Sequence, residues 1–311
     1  MKAIVLKDFG GVDQLQEAEL PTPGIKDGEV LVEVKAISIN PVDIKTREGQ
    51  GLAEMLKASS PMILGWDISG VVRESESPLF QEGDEVFGMV NFPGVGRAYA
   101  EYVAAPADQL ALKPQEVSHP AAAAASLAAL TAWQAFADHH RLKSGQRVLI
   151  HAASGGVGHF AVQIAKHIGA YVIGTSSAEN RDFVLGLGAD EHIDYKTQDV
   201  SKVVSNVDLV LDPLGGANID LSLKTLKKGG ILLSLVAEPK DKLEEKAAAA
   251  GVTGKKIYVQ ASGEDMEGIA QLLASGALKP AVSKLFPWDK MGEAHQQVES
   301  GRTRGKTVVV V

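Results

Sequence analysis

The 311-residue sequence contains no cysteine. That absence removes disulfides, thiolate nucleophiles and every cysteine-based zinc site. Long apolar runs are missing too. The opening MKAIVLKDFGG sets a short apolar run between lysines, well short of a signal-peptide core. The Ala-rich run from Ala121 to Ala132 is interrupted by Ser126 and Thr131 before it reaches membrane-spanning length. A cytoplasmic location with no membrane partner is therefore expected. Positive charge is not in surplus: the net charge of −8 argues against broad binding to a nucleic-acid backbone. None of the eight histidines shows a paired metal-ligand spacing with carboxylates, so no metal site is expected. There are no internal repeats.

What is present is the composition of a globular protein, 45% hydrophobic and 23% charged. The chain is too long for one ordinary core, so two lobes are expected. It is organised around Gln146 to Gly174, QRVLIHAASGGVGHFAVQIAKHIGAYVIG. Arg147 to Ala152 is a short β-branched apolar run that suits a buried strand. Gly155, Gly156 and Gly158 follow at once, and Phe160, Val162, Ile164, Ala165 and Ile168 then fall on one helical stripe. Gly169 is placed to end the helix, and Tyr171 begins a second strand.

A strand, a glycine-rich turn and a helix in that order make a dinucleotide site. A helix N-terminus offers unpaired N–H groups and about half a positive charge, provided that no side chain blocks a pyrophosphate. Gly155 and Gly158 match the second and third glycines of G-x-G-x-x-G, with Ala153 in the place of the first. The second strand runs into Gly174, Thr175, Ser176 and Ser177, with no acid before Glu179. An NAD site puts an acid about twenty residues on, whereas an NADP site supplies a cation. Arg181 is such a cation, and its guanidinium fork suits a phosphate. NADPH is the expected cofactor, although an exposed arginine capping a solvated helix face would look the same.

Around this unit, Lys2 to about Pro114 is β-rich and broken by Pro21, Pro23, Gly24, Gly28, Gly83 and Gly94, the pattern of a compact β-barrel lobe. Leu52 to Ala58 suits one helical excursion within it. Val117 to His139 is Ala-rich with helical period and leads into alternating strand and helix signals, which imply a parallel sheet covered on both faces. The last of those strands is expected at Lys256 to Gln260, KIYVQ. The resulting division is 1–118 for the barrel lobe, 119–262 for the nucleotide lobe, and 263–311 returning to the barrel lobe and closing a cleft.

The motifs together resemble the zinc-free quinone oxidoreductase branch of the medium-chain dehydrogenase/reductase superfamily. They include INPVDIK at Ile39, LGWDISGVV at Leu64, EGDEVFG at Glu82, AYAEYVAAP at Ala98, LTAWQAF at Leu130, HAASGGVG at His151, DPLGG at Asp212 and ESGRTRGKTVVV near the end. The resemblance implies an α/β protein with a GroES-like β-barrel lobe and a Rossmann doubly wound parallel-sheet lobe. Zinc-dependent relatives carry Gly-His-Glu where this chain has Gly65, Trp66 and Asp67. By the resemblance, Ser154, Gly155, Gly156, Val157 and Gly158 form the pyrophosphate turn, and Ser176, Arg181 and Tyr195 surround the 2′-phosphate. Asn40 and Thr131 lie near the nicotinamide, and Leu235 and Val236 face its carboxamide edge. Each has a plain alternative: Tyr195 as an ordinary strand-end tyrosine, Thr131 as a back-bonded helix hydroxyl, Asn40 as a turn cap.

The implied reaction is hydride transfer from NADPH to a quinone or to an α,β-unsaturated ketone or aldehyde. Lys45, in the segment where many quinone-reducing members carry a tyrosine, resembles the enone and alkenal reductases, and with Asn40 it is the candidate catalytic residue. Its ammonium would donate to a developing oxyanion, unless it is merely a solvated surface lysine. The alternative function is an NADPH-binding structural or regulatory protein with little turnover. An apolar edge at Lys256 to Gln260 predicts a homodimer.

Overall fold

The computed structural model describes residues 1–311, which divide into two units. The first comprises Met1–Leu130, Gln260–Gly276 and Pro280–Val311; the second comprises Thr131–Val259 and Ala277–Lys279.

The first unit opens with an antiparallel pair, β1 (Lys2–Leu6) and β2 (Leu15–Glu19). The long β3 (Glu29–Ile39) leads into helices α1 (Pro41–Arg47) and α2 (Ala53–Lys57). Strands β4 (Asp67–Ser75), β5 (Glu85–Met89), β6 (Tyr102–Pro106) and β7 (Leu110–Leu112) follow, then helix α3 (His119–Ala124) and the start of α4 (Leu127–Ala137), whose residues from Thr131 onward belong to the second unit.

The second unit is built from β8 (Arg147–Ile150), α5 (Gly158–Ile168), β9 (Tyr171–Ser176), α6 (Arg181–Gly186), β10 (Glu191–Asp194) and α7 (Val200–Val203). It continues with β11 (Val207–Asp212), α8 (Ala217–Leu223), β12 (Leu226–Ser234), α9 (Leu243–Ala249) and β13 (Thr253–Lys256). The six strands are all parallel, in the order β10-β9-β8-β11-β12-β13. Such a sheet is buried on both faces, which is why β11 is apolar without alternation apart from its two aspartates, and every residue in it is buried. The strand order reverses between β8 and β11, the place where doubly wound sheets bind ligands beyond the carboxyl ends of their strands.

The chain then returns to the first unit with α10 (Gly263–Ala274), β14 (Val282–Pro287), α11 (Met291–Glu299) and β15 (Lys306–Val310). β15 pairs antiparallel with β3, extending the sheet order to β14-β15-β3-β4-β5-β7, with β6 on β3 as well. Val32, Ile37, Ile39, Ile68, Val86, Val103 and Val309 fill the core of this sheet. Each such side chain contributes about 1.5–3 kcal/mol on leaving water.

Several expectations shift. The helix foreseen over Val117 to His139 is two helices, because the buried Asp67 carboxylate accepts a hydrogen bond from Leu127 N at 2.9 Å and starts α4 afresh. A carboxylate sixty residues upstream leaves no trace in local periodicity. Helix α3 packs on β3, β4 and β15, so the first unit runs to Leu130 rather than to 118. The edge strand lies at Thr253–Lys256, not at Lys256 to Gln260. Its position is set by Gly254, where a Cβ would stand 2.8 Å from side-chain atoms of Leu243 and Ala247 in α9. Only Ile257 of the KIYVQ run is buried, and Tyr258 is 63% exposed. The short β2, β7, β10 and β14 and helices α1, α7 and α9 were not foreseen.

No helix is long and apolar enough to cross a membrane.

Candidate cofactor and active site

The second unit gathers the glycine-rich turn and the other nucleotide candidates at one edge. Ala153 N donates to Thr175 O at 2.8 Å, tying the start of the turn to β9. Ala152 sits at φ 48°, a left-handed conformation that lets the chain reverse into the helix. Gly155 N donates to Ala152 O at 2.9 Å, and the His159 ring donates through Nδ1 to Gly155 O at 2.9 Å. Gly158 is where the helix meets the strand end: a Cβ there would overlap Ala152 O and lie 2.8 Å from Ala153 Cα. No side chain caps α5. Its first N–H groups, with those of Ser154, Gly156 and Val157 leading into them, form a backbone cradle of the kind that holds a pyrophosphate, while Gly155, its own N–H spent on Ala152 O, leaves the approach clear of a side chain. The residues present fit that group.

The candidates for the 2′-phosphate converge at the carboxyl ends of β9 and β10. Ser176, 2% exposed, pairs with Asp194 in register, and its carbonyl accepts from Tyr195 N at 3.4 Å. Tyr195 stands exposed beside it. Arg181 opens α6, is exposed and makes no ion pair, so its guanidinium is available for an anion. Between them is a residue the sequence reading passed over: His192, buried in β10, with Nε2 2.7 Å from Ser176 Oγ. Burial, and then the nearby Arg181 charge, hold its pKa below the usual imidazole value, with Asp194 opposing.

Leu235 and Val236 follow the end of β12, where Leu235 N donates to Asp212 O at 3.0 Å and Val236 N to Ser234 Oγ at 3.4 Å. Asp212 was also missed as a site residue. Its buried carboxylate accepts from Leu214 N, Gly215 N and Asn218 Nδ2 at 2.8–3.1 Å and shapes the loop after β11. His151 is neutral and structural, its ring nitrogens 3.1 Å from Thr175 Oγ1 and from Ser222 Oγ, with burial pushing its pKa down to about 4.

In the first unit Asn40 is only 1% exposed, and its side chain is fully engaged. Its amide donates to Asp67 Oδ2 at 2.8 Å, and its oxygen takes a short hydrogen bond from the buried Lys306 ammonium. Lys306 also donates to Ile39 O at 3.1 Å and lies 3.9 Å from Asp67. Asn40 N donates to Asp43 Oδ2 at 2.7 Å, which fixes the start of α1. Asn40 is thus the hub of a buried charge cluster, an arrangement that positions rather than reacts. Burial pushes Asp43 up to about 7 and Asp67 up to about 6, and lowers Lys306 against the pull of both carboxylates. Next to it, Arg47 donates to His295 Nδ1 at 3.4 Å and pairs with Glu299 at 2.5 Å, leaving His295 Nε2–H to donate to Tyr99 at 2.9 Å. This chain locks α1 to α11.

Lys45 is exposed on α1 and makes no ion pair. Thr131 lies on α4 and is 7% exposed. At the positions where zinc-dependent relatives carry His and Glu, Trp66 is buried with its indole N–H on Gly94 O at 3.0 Å, and Asp67 is engaged by Asn40 and Leu127.

The chain is similar to known proteins along its length. Residues 26–115 match the family described as alcohol dehydrogenase GroES-like domain, and residues 187–309 the one described as zinc-binding dehydrogenase. The chain is 32% identical to the chloroplastic NADPH-dependent alkenal/one oxidoreductase of Arabidopsis thaliana, over 99% of this chain and 79% of that protein. It superposes on the quinone oxidoreductase of Coxiella burnetii with a TM-score of 0.94 at 36% identity, covering 100% and 99% of the two chains. It also superposes on the Escherichia coli quinone oxidoreductase complexed with NADPH, with a TM-score of 0.87 at 27% identity over all of both chains.

Two outcomes are expected from this geometry. Gly158→Ala should destabilise the protein by roughly 1–3 kcal/mol through overpacking, read by denaturant unfolding, and should weaken NADPH binding, read by calorimetry; wild-type values for both would contradict the packing described. Asp43 has a folded pKa above its unfolded value, so its favourable contribution is complete below about pH 4 and is lost as pH rises through about 7. Asp43→Asn should therefore gain stability relative to wild type between pH 5 and pH 8, by an amount on the order of a few kcal/mol. A pH-independent difference in melting temperature would refute it.

Proposed function

The chain belongs to the quinone and enone reductase branch of the medium-chain dehydrogenase/reductase superfamily, and from that footing we propose that it reduces quinones or α,β-unsaturated carbonyls without the help of zinc. It is an NAD(P)H-dependent oxidoreductase, and we propose NADPH as the cofactor it uses. The observation that carries the reading is the bare start of α5 at the strand-order reversal, with the unpaired Arg181 at the neighbouring strand end.

Bound NADPH supplies the hydride. The backbone amides of Ser154, Gly156, Val157 and Gly158 hold the pyrophosphate, with Gly155 leaving the approach open; Arg181, Ser176 and Tyr195 hold the 2′-phosphate. Leu235 and Val236 face the carboxamide edge. In the second unit Thr131 borders the nicotinamide; in the first, Asn40, a candidate for the same ring, is kept rigid by Lys306 and Asp67. A metal-free reaction requires an acceptor whose reduced form carries its own charge, as a hydroquinone anion or enolate does by conjugation. Support for zinc independence comes from the residues: no cysteine, no group of three or more His, Asp or Glu side chains placed to share an ion, and Trp66 and Asp67 committed elsewhere. Lys45, exposed and without an ion pair, is available to donate to the oxygen on which charge develops.

The protein is expected to oxidise NADPH with members of a panel of quinones, enones and alkenals and to keep that activity in the presence of a zinc chelator; no acceptor consumed, or activity lost to the chelator and restored by zinc, would overturn the reading. Arg181→Ala should weaken NADPH binding about tenfold while sparing NADH. Lys45→Ala should lower kcat at least tenfold, and unchanged turnover removes Lys45 from the chemistry.

We also propose a homodimer through the free edge of β13, beyond which Tyr258 is exposed with Lys256 Nζ 4.9 Å from its ring centre. Sedimentation at micromolar concentration is expected to give the dimer mass, and a Lys255→Pro variant should shift it toward monomer. A wild-type protein that is only monomeric would refute this.

A further inference from the structure

His192 is the one buried titratable side chain at the 2′-phosphate end of the sheet that the proposed chemistry leaves unused. Its Nε2 lies 2.7 Å from Ser176 Oγ, and the same hydroxyl reaches Ser177 O at 3.2 Å. A serine hydroxyl has one proton to give. In the neutral Nδ1–H tautomer the imidazole accepts at Nε2, and that proton is spent on His192 instead of Ser177 O. An imidazolium donates at Nε2, and the serine proton is then free to turn to a third acceptor.

The surroundings set which state prevails. The elements packed most closely against β10 are β9 and α6. From α6 the charged groups are Arg181 and the exposed Asp182; from β9 the only titratable group is Tyr171, whose hydroxyl is engaged with Glu191 at the far end of the strand. Its own strand adds Asp194 and Glu191. With no anion present, burial and the Arg181 charge keep His192 neutral. A phosphate dianion beside Arg181 cancels that charge and adds acceptors.

We propose that His192 is a proton-linked positioning residue for the 2′-phosphate: on binding NADPH it takes up a proton, donates to Ser176, and turns the Ser176 hydroxyl onto the phosphate. The inference rests on the NADPH reading and deepens it. Discrimination between NADPH and NADH is then steeper on the acid side of neutrality than on the alkaline side, apart from the titration of the phosphate itself.

The test follows the His192 ring by NMR in the wild-type protein with labelled histidine, with adenosine 2′,5′-bisphosphate and adenosine 5′-monophosphate as probes. The expected result is a His192 titration moved upward by the bisphosphate and not by the monophosphate. Binding of the bisphosphate with His192 unmoved overturns this inference alone; failure of the bisphosphate to bind overturns the NADPH reading and the inference with it. Two variants give an independent readout by calorimetry. His192→Leu should lose about tenfold of the NADPH over NADH preference. His192→Gln, a permanent donor to Ser176, should keep the preference but lose its difference from the phosphate's own pH dependence. A His192→Leu protein with wild-type preference across pH would refute the proposal.

Discussion

The close approach of α5 to the end of β8 is the constraint on which the second unit depends. Gly158 lies so near Ala152 O that no side chain fits there, and the helix consequently begins directly over the strand end with its first N–H groups uncapped. Those amides and the field of the helix are what attract a phosphate. Everything else on that edge is arranged around the same choice: Ala152 in a left-handed conformation, His159 bracing Gly155, and Thr175 holding Ala153. A side-chain cap on α5 would satisfy the helix and remove the site.

The first unit is organised by a different cost. Lys306, Asp67, Asp43 and Asn40 are all removed from water, and buried charges persist only when paired and hydrogen-bonded. Lys306 spans to Asn40 and Ile39, Asn40 to Asp67, and Asp67 to Leu127. The cluster therefore joins β15, β3, β4 and the start of α4 in one network. Its members sit far apart in sequence, so the C-terminal strand is tied to the barrel by charge as well as by its ladder with β3. Breaking one partner strands the others, which makes the cluster a device for holding Asn40 in a single orientation.

Much of the architecture was legible in local pattern. The helix after the glycines ends at Gly169 and the next strand begins at Tyr171, as their pattern predicts, and this βαβ unit needs no distant partner to be recognised. What escaped were short strands such as β10, whose four residues EHID show no period, and the boundaries fixed by remote groups. Asp67 splits the Ala-rich helix in two, and α9 draws β13 onto Gly254 rather than onto the more apolar KIYVQ. Charge logic singles out Arg181, which stands exposed at the start of α6, whereas His192 escapes it because a lone histidine carries no spacing signal.

By itself the sequence determined the class of ligand, the two-lobed plan and the lack of thiol chemistry, because these follow from residue types and from periods of two and 3.6 residues. Tertiary structure alone decided the rest: that Lys306 ends buried on Asn40, that Lys45 stands exposed, and that His192 meets Ser176 across the β9–β10 register. These are meetings of residues from separate segments, and their energies depend on burial and distance, which the chain acquires only when folded.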